Sequence, residues 1–550
     1  MDDRRDDPDY DFLFDHGPLE PGDAVVHFEH GLARFDGIET IEVPDGEGGA
    51  AEQRLMRLGY RDGGTLMLPE HEMEHVWRYG APAGNLTLDR LKAGDWVKRR
   101  DELIVELKEA ARELAREYRA RRGRPAPVVA PDGRMAAFER GFPFEETAHQ
   151  RHAIERVLSE LATPAPMDRV VIGDVGFGKT EVALRAVAAV AFSGLQAAIA
   201  VPTTVLAEQH ARTFRERLAP HGVGIVTLTG EADEAVEAAL ADGTAQVVIG
   251  THALLSRDIA FADLALVVID EEQKFGMEAK RALRALGSGE RGLHVLAMTA
   301  TPIPRTLAAA EVGLVDVSVV AEAPKDRLPV ETSVEEVDGE RGREAMLAAI
   351  RREIERGGQA YVVCPRIEGI EGRDEDGAEA EGVADWLEGL DARVELAHGR
   401  LPAQEIERSM LAFMDGEADV LLATSIIESG IDNPRANTMV VWNADRFGLA
   451  QLHQLRGRIG RSRVPATLTL LTQRDLKAEP DLAKRLDAFR AMSQLGAGFA
   501  VARKDQELRG FGTLSGEDQS GQVSRLGIEL YRHLMAEALR GELKELAEAA

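Results

Sequence analysis

The octapeptide GDVGFGKT, Gly173 to Thr180, constrains this chain more than any other stretch, because its flanks leave it one use. It directly follows the apolar run RVVI and precedes EVALRAVAAV, so a buried strand feeds through a glycine-rich turn into a helix. In that setting the glycines let backbone N–H groups approach an anion closely, and Gly173, Asp174, Val175, Gly176, Phe177 and Gly178 together form the nucleotide-binding turn. The helix start favours negative charge, and the Lys179 ammonium reaches the outer phosphates of a nucleotide such as ATP. The Thr180 hydroxyl is then offered to Mg2+.

A strand ending in a phosphate loop belongs to a parallel sheet, and the sequence supplies two sets of partners. The runs RVVIGD, QAAIAVP, VGIVTLT, QVVIGT, LALVVID and HVLAMTA come first; QAYVVCP, VELAHG, DVLLAT, TMVVWN and ATLTLLT follow, with helical stretches between them. Continuous apolar runs alternating with helices indicate parallel sheets covered on both faces, hence two α/β domains in tandem. The proline- and charge-rich EAPKDRLPVETSVEEVDGER, near residues 322 to 341, reads as an exposed connection between them. Upstream, Gly22 to about Gly80 shows short alternating segments broken by Gly and Asp turns, the pattern of a small antiparallel barrel with His27 and His30 as ordinary sheet residues. The segment WVKRRDELIVELKEAARELAREYRARRGR has apolar residues at three- and four-residue steps among many charges, hence a long amphipathic helix.

The 550 residues have room for several domains, and their net charge of −29 argues against a surface that attracts nucleic acid everywhere. Any polyanion site must be focused. The single cysteine, Cys364, cannot form an internal disulfide, and MDDRRDDPDYDFLFDHG lacks the apolar core of a signal peptide, so a cytoplasmic location is expected. The uncharged stretch from Ala186 to Ala207 is broken by SGLQ and VPTT, so no membrane span is expected there.

The strand LALVVIDEEQ ends in carboxylates at the sheet edge where the phosphate loop lies, so Asp270 can hold Mg2+ while Glu271 orients or deprotonates the attacking water; Gln273 completes this group. In QLRGRIGR, Arg458 and Arg461 stand three residues apart, a spacing that puts both guanidinium groups on one face of a helix. They are read as arginine fingers from the second domain, which makes hydrolysis depend on closure.

Taken in order, FPFEETAHQ, GDVGFGKT, VPTTVLAEQ, IGTHALL, DEEQ, MTATPIPRT, LLATSIIESGIDNP and QLHQLRGRIGR resemble the motifs of superfamily 2 helicases, specifically the RecG and Mfd branch. The resemblance implies two tandem RecA-like domains, with Phe144 stacking on adenine and Gln150 reading it. It places Thr203, Thr251, Thr299 and Thr301 on the nucleic-acid track and Gly430 and Asp432 in the inter-lobe ATP contact. Downstream, RGFGTLSGEDQSG is similar to the branch's translocation motif, a helical hairpin and loop; Arg509 and Gln519, with Arg485 in AKRLDAF, match positions that turn lobe closure into movement along double-stranded DNA. The segments GDAVVHFEHGLARFDGIETIEV and YRDGGTLMLPEHEMEHVWRYG are similar to the CarD/Tudor-like barrel with which Mfd binds RNA polymerase, in that family through the beta subunit.

On this reading residues 1–20 are a disordered acidic N-terminus, 21–82 the polymerase-interaction domain and 83–123 a linker and connector helix. Residues 124–325 and 326–475 are the two RecA-like domains, and 476–550 the translocation motif and C-terminal helix of an expected monomer. Neither the UvrB-like module nor the autoinhibitory C-terminal domain of Mfd has a counterpart in the sequence, which puts UvrA recruitment in doubt and predicts a high basal ATPase. The acidic stretch 230–243 predicts weaker, more salt-sensitive DNA binding. The competing expectations are a RecG-like fork-remodelling helicase and a CarD-like transcription regulator with a vestigial motor.

Overall fold

The computed structural model describes residues 9, 18–44, 50–92, 94–230, 234–255, 259–286, 291–300, 304–325, 327–337, 339–365, 383–424, 427, 433–461, 463–492 and 525–548. The chain forms two compact units, one from Met1–Gly123, Pro302–Val317 and Arg503–Ala550, the other from Arg124–Thr301 and Ser318–Ala502.

In the first unit β1 (Asp23–His27), β2 (Gly31–Pro44), β3 (Ala50–Gly59), β4 (Thr65–Pro69) and β5 (Val76–Pro82) form an antiparallel sheet in the order β4-β3-β2-β1-β5. Successive strand residues point to opposite faces, and both faces are covered. Val25 packs with Ala33, Phe35, Met56, Leu58 and Leu68 on one side. Ala24 and Val26 join a second core that includes Trp96, Leu103 and Leu107 of the helix Asp95–Arg122 and Leu530, Tyr531 and Leu534 of the helix Ile528–Glu548. His27 stays inside the sheet: burial first, then the neighbouring His30 and His75, pushes its pKa down to about 4.

The helix Asp95–Arg122 buries Trp96, Arg100, Leu103, Leu107, Ala111 and Ala115, one stripe at three- and four-residue steps. Trp96 anchors it: the indole Nε1 donates to the Phe28 carbonyl at 2.8 Å, and a Cβ added at Gly31 (φ 79°) would fall 2.8 Å from its ring. Trp96→Ala is expected to destabilise this unit by about 3–5 kcal/mol, read as a lower midpoint in urea unfolding. In the same unit Glu311, ending the helix Pro304–Glu311, pairs with Arg532 and Arg540 of the C-terminal helix at 3.4 and 3.1 Å.

The second unit holds two sheets. In the first are β6 (Asp168–Gly173), β7 (Gln196–Ala200), β8 (Ile225–Leu228), β9 (Val247–Gly250), β10 (Leu264–Ile269), β11 (His294–Thr299) and β12 (Asp316–Val320), ordered β12-β6-β11-β10-β7-β9-β8, with β6 to β11 paired in parallel. The other contains β13 (Glu331–Glu336), β14 (Gln359–Val363), β15 (Val394–Ala397), β16 (Val420–Ala423), β17 (Ala436–Val441) and β18 (Thr467–Thr472), ordered β13-β18-β17-β14-β16-β15 and parallel throughout. The segment expected to be an exposed connection thus contains a strand, β13. Its sequence ETSVEE has no apolar run because it lies at the sheet edge, partly solvated and paired with β18 alone. Among the described residues no helix is long and apolar enough to cross a membrane.

Candidate nucleotide site

Parallel strands share one carboxyl edge, and the sheet order decides which motifs meet along it. In the order β6-β11-β10-β7-β9 that edge presents the loop Gly173–Thr180 after β6, Thr299 at the end of β11, Asp270 and Glu271 after β10, Thr203 after β7 and Thr251 after β9. Motifs separated by more than a hundred residues become neighbours through strand order alone.

The loop is built for close approach. Gly176 and Gly178 hold φ of 78° and 85°, and an added Cβ would lie 2.5 Å from Arg327 Nη1 at the first and 2.4 Å from Gln150 Nε2 at the second. Lys179 opens the helix Lys179–Phe192 and donates through Nζ to the carbonyls of Gly173 (2.7 Å) and Asp174 (3.1 Å). Burial lowers its pKa, while Glu271, Asp270 and Asp174 act in the opposite direction. A desolvated ammonium held against loop carbonyls is a ready partner for a polyphosphate. Thr180 follows in the first helical turn.

Asp270 is buried; its Oδ2 accepts from His210 Nε2 at 2.8 Å and its Oδ1 from the Glu271 N–H at 2.9 Å. Burial alone would raise its pKa, but His210, Lys179 and the backbone donor outweigh it, so the carboxyl lies below its ordinary range and is ionised. That is the form a divalent cation requires. Glu271 has φ 52°, a left-handed backbone that only Asn443 shares among the described non-glycine residues. Such a conformation costs roughly 1–3 kcal/mol and persists where the surroundings enforce it. Gln273 Nε2 donates to Glu271 Oε2 at 2.5 Å, and Thr299 Oγ1 donates to Gln273 Oε1 at 2.8 Å. A hydrogen-bonded chain therefore runs from the carboxylate to the end of β11. The adjacent Glu272 is turned into a buried ion pair with Lys280 at 3.3 Å, which leaves Glu271 as the glutamate of this pair that acts on Lys179.

From the other sheet's domain, Arg458 brings Nη2 to 3.8 Å from Glu271 Oε1, with both side chains largely buried. The expectation that Arg458 and Arg461 share a helix face is corrected: the helix is Leu449–Arg456, capped by Gly457, and both arginines lie beyond it. Gly457 and Gly460 (φ 68°) end the helical path, so the chain turns and Arg461 Nε donates to the Gly457 carbonyl at 3.0 Å.

Phe144 is 63% exposed and meets Phe142 edge-on at 5.6 Å, leaving its ring open to a stacking partner. Gln150 is buried; its Oε1 accepts from the Thr147 N–H at 3.0 Å as half of a helix-capping box, and its Nε2 donates to the Phe177 carbonyl at 2.8 Å. It ties the helix Ala148–Leu161 to the phosphate loop. Thr203 caps the helix Thr204–Leu218 by accepting from the Leu206 N–H at 3.3 Å, and Thr251 precedes the short turn His252–Leu254. Arg485, on the helix Pro480–Ala491, donates to the Asp445 carbonyl at 2.5 Å. Thr301, Gly430, Asp432, Arg509 and Gln519 lie outside the described residues.

Three residues at the site were missed in the sequence. His210 holds Asp270; His453 holds Asp174 at 2.7 Å; Arg327 donates to the Val175 carbonyl at 2.5 Å. The first two stand in or beside motifs already quoted, VPTTVLAEQ and QLHQLRGRIGR, but their partners are 60 and 279 residues away. The glycine-shaped loop, the desolvated Lys179 and the ionised Asp270 fit a nucleoside triphosphate with Mg2+.

Comparison with known proteins agrees with this geometry. Residues 147–310 match the DEAD/DEAH box helicase family, 343–463 the helicase conserved C-terminal domain, and 19–80 the CarD-like/TRCF RID domain. Fold, site and motif order define a superfamily 2 helicase-type ATPase in which a CarD-like antiparallel sheet precedes two RecA-like domains in the sequence. Within that class the chain is similar along nearly its whole length to the transcription-repair-coupling factors. It is 38% identical to that of Bacillus subtilis (strain 168) over 533 residues, 95% of this chain and 43% of the relative. It is 40% identical to that of Escherichia coli (strain K12) over 527 residues, 95% of this chain and 44% of the relative. The chain thus spans less than half the length of these relatives. A solved structure of RecG bound to a three-way DNA junction superposes with a TM-score of 0.62 at 27% identity, over 94% of this chain and 79% of that one.

Proposed function

We propose that this chain is an ATP-dependent double-stranded DNA translocase that binds RNA polymerase through its N-terminal sheet domain and pushes or displaces halted transcription complexes. The observation that carries the reading is the continuous match across 95% of the chain to transcription-repair-coupling factors, which joins the CarD-like/TRCF RID segment to the helicase segments. The domain limits 21–82, 83–123, 124–325, 326–475 and 476–550 belong to the same proposal, as does a cytoplasmic location.

In this mechanism Phe144 stacks on the adenine, the loop from Gly173 receives the phosphates, and Lys179 exchanges its two carbonyl partners for phosphate oxygens. Thr180 and Asp270 hold Mg2+, which neutralises charge on the phosphates when bound. Glu271, held by Gln273, orients the attacking water and takes its proton on a carboxylate oxygen. Arg458 leaves Glu271 for the phosphate on which negative charge develops, and Arg461 adds a second cation from the same turn. Thr299, bonded to Gln273, passes the state of Glu271 to the nucleic-acid track, which Thr203, Thr251 and Arg485 extend. Thr299→Val keeps the side chain's shape but leaves Gln273 Oε1 without that donor; the expected result is a duplex-stimulated ATPase rate about tenfold lower, measured in steady state.

The deciding experiment halts RNA polymerase on linear duplex by nucleotide starvation and follows its release by this protein. ATP-dependent release supports the proposal; polymerase binding without release at any ATP concentration contradicts it. The RecG likeness supplies a second reading, fork remodelling, which predicts that branched DNA stimulates the ATPase far more than linear duplex.

A further inference from the structure

Within the phosphate loop, three contacts from outside the loop's own sheet converge on Asp174 and Val175. His453 Nε2 lies 2.7 Å from Asp174 Oδ1. Arg327, just ahead of β13, donates through Nη1 to the Val175 carbonyl at 2.5 Å, with its guanidinium carbon 5.9 Å from the centre of the Phe177 ring. Gly457, at the end of the helix Leu449–Arg456, packs so closely on Val175 that a Cβ added there would lie 2.7 Å from the Val175 Cβ.

The hydrogen-bond roles in this cluster are determined by chemistry. Arg456 Nη2 lies 2.9 Å from His453 Nδ1 and donates to the Met492 carbonyl at 2.8 Å. Burial lowers the Arg456 pKa to about 10, still well above neutrality, so the guanidinium is a donor only. Nδ1 of His453 must therefore accept, and the imidazole carries its proton on Nε2, directed at Asp174. On the other side, burial opposes ionisation of Asp174, but His453, the Val175 N–H at 2.7 Å and Lys179 hold its pKa down to about 2. The acceptor is a carboxylate.

We propose that Asp174–Val175 is the step by which the second RecA-like domain grips the phosphate loop, with His453 and Arg327 acting as positioning residues for nucleotide binding. The inference rests on the ATPase reading above and adds to it a contact separate from the arginine fingers. Holding the loop from outside leaves its N–H groups arranged before a phosphate arrives, so the grip contributes to ground state and transition state alike. Its loss then raises KM and spares kcat.

The test uses the full chain and compares His453→Ala, His453→Gln, Asp174→Ala and the double variant His453→Ala/Asp174→Ala. ATP titration gives KM and kcat, and a fluorescent ADP analogue gives affinity without turnover. Expected are a KM and an ADP dissociation constant raised about tenfold by each alanine, with kcat within about twofold. Gln places an amide N–H close to the position of Nε2 and should restore most of the affinity. The double variant should be no worse than either single, because both remove one bond. Unaltered ADP affinity in both alanine variants, additive losses in the double variant, or no rescue by Gln overturns the proposal. Because Asp174→Ala leaves the Arg456–His453 contact in place, it answers the question even if His453→Ala folds poorly. A wild-type protein that binds the ADP analogue but hydrolyses no ATP would refute the ATPase reading while leaving this test intact.

Discussion

Lys179→Ala is expected to lower kcat/KM for ATP by about 10³-fold, measured as phosphate release in the presence of duplex DNA. The ammonium is a desolvated positive charge inside the phosphate loop, bonded to the Gly173 and Asp174 carbonyls and acted on by Glu271, Asp270 and Asp174. Preorganised charge in a dry site is worth far more than in water, and removal of one such donor typically costs about 10²- to 10³-fold. Removing the ammonium also leaves the carboxylates Asp270 and Glu271 at the site without that positive charge, which adds to the loss. If the same protein also displaces halted polymerase, the variant should still bind polymerase, since the CarD-like segment 19–80 is untouched. Near-normal turnover in Lys179→Ala would show that the loop is not the catalytic nucleotide site.

Arg458→Ala should reduce kcat by about 10³-fold or more while nucleotide affinity changes little, the signature of a group used only where charge develops. The guanidinium already sits 3.8 Å from Glu271, nearly buried, so its reach into the site needs no large rearrangement. Removing it has a second consequence, because Glu271 loses its cationic neighbour from the other domain. Single-turnover hydrolysis with a fluorescent nucleotide separates the two steps. A fall confined to affinity, with kcat preserved, would assign Arg458 to binding rather than to the transition state.

The parts of the site that were legible in the sequence are those made by local chain geometry. GDVGFGKT between an apolar strand and a helix, and DEEQ at a strand end, each carry their function in consecutive residues, and β6 and β10 place them as read. Eleven strands announced themselves as apolar runs, eight of them buried along their whole length; ETSVEE did not, since an edge strand can remain polar. Strand order was not legible, and it is strand order that sets Thr299 between the loop and Asp270 and permits the Glu271–Gln273–Thr299 chain. His210 and His453 look in sequence like ordinary helix residues; only tertiary contacts reveal that they hold Asp270 and Asp174. The spacing of Arg458 and Arg461 misled because a 3.6-residue period was assumed across Gly457 and Gly460, where the backbone leaves the helix.

The most direct measurement is the steady-state ATPase rate of the purified chain against increasing linear duplex DNA, at two salt concentrations. The expected rate climbs to saturation with duplex and demands more DNA at the higher salt, because backbone phosphates are gripped electrostatically. A rate unchanged by linear duplex, whether or not it carries a halted polymerase, would contradict the idea that closing the two domains on ATP drives the protein along an intact double helix.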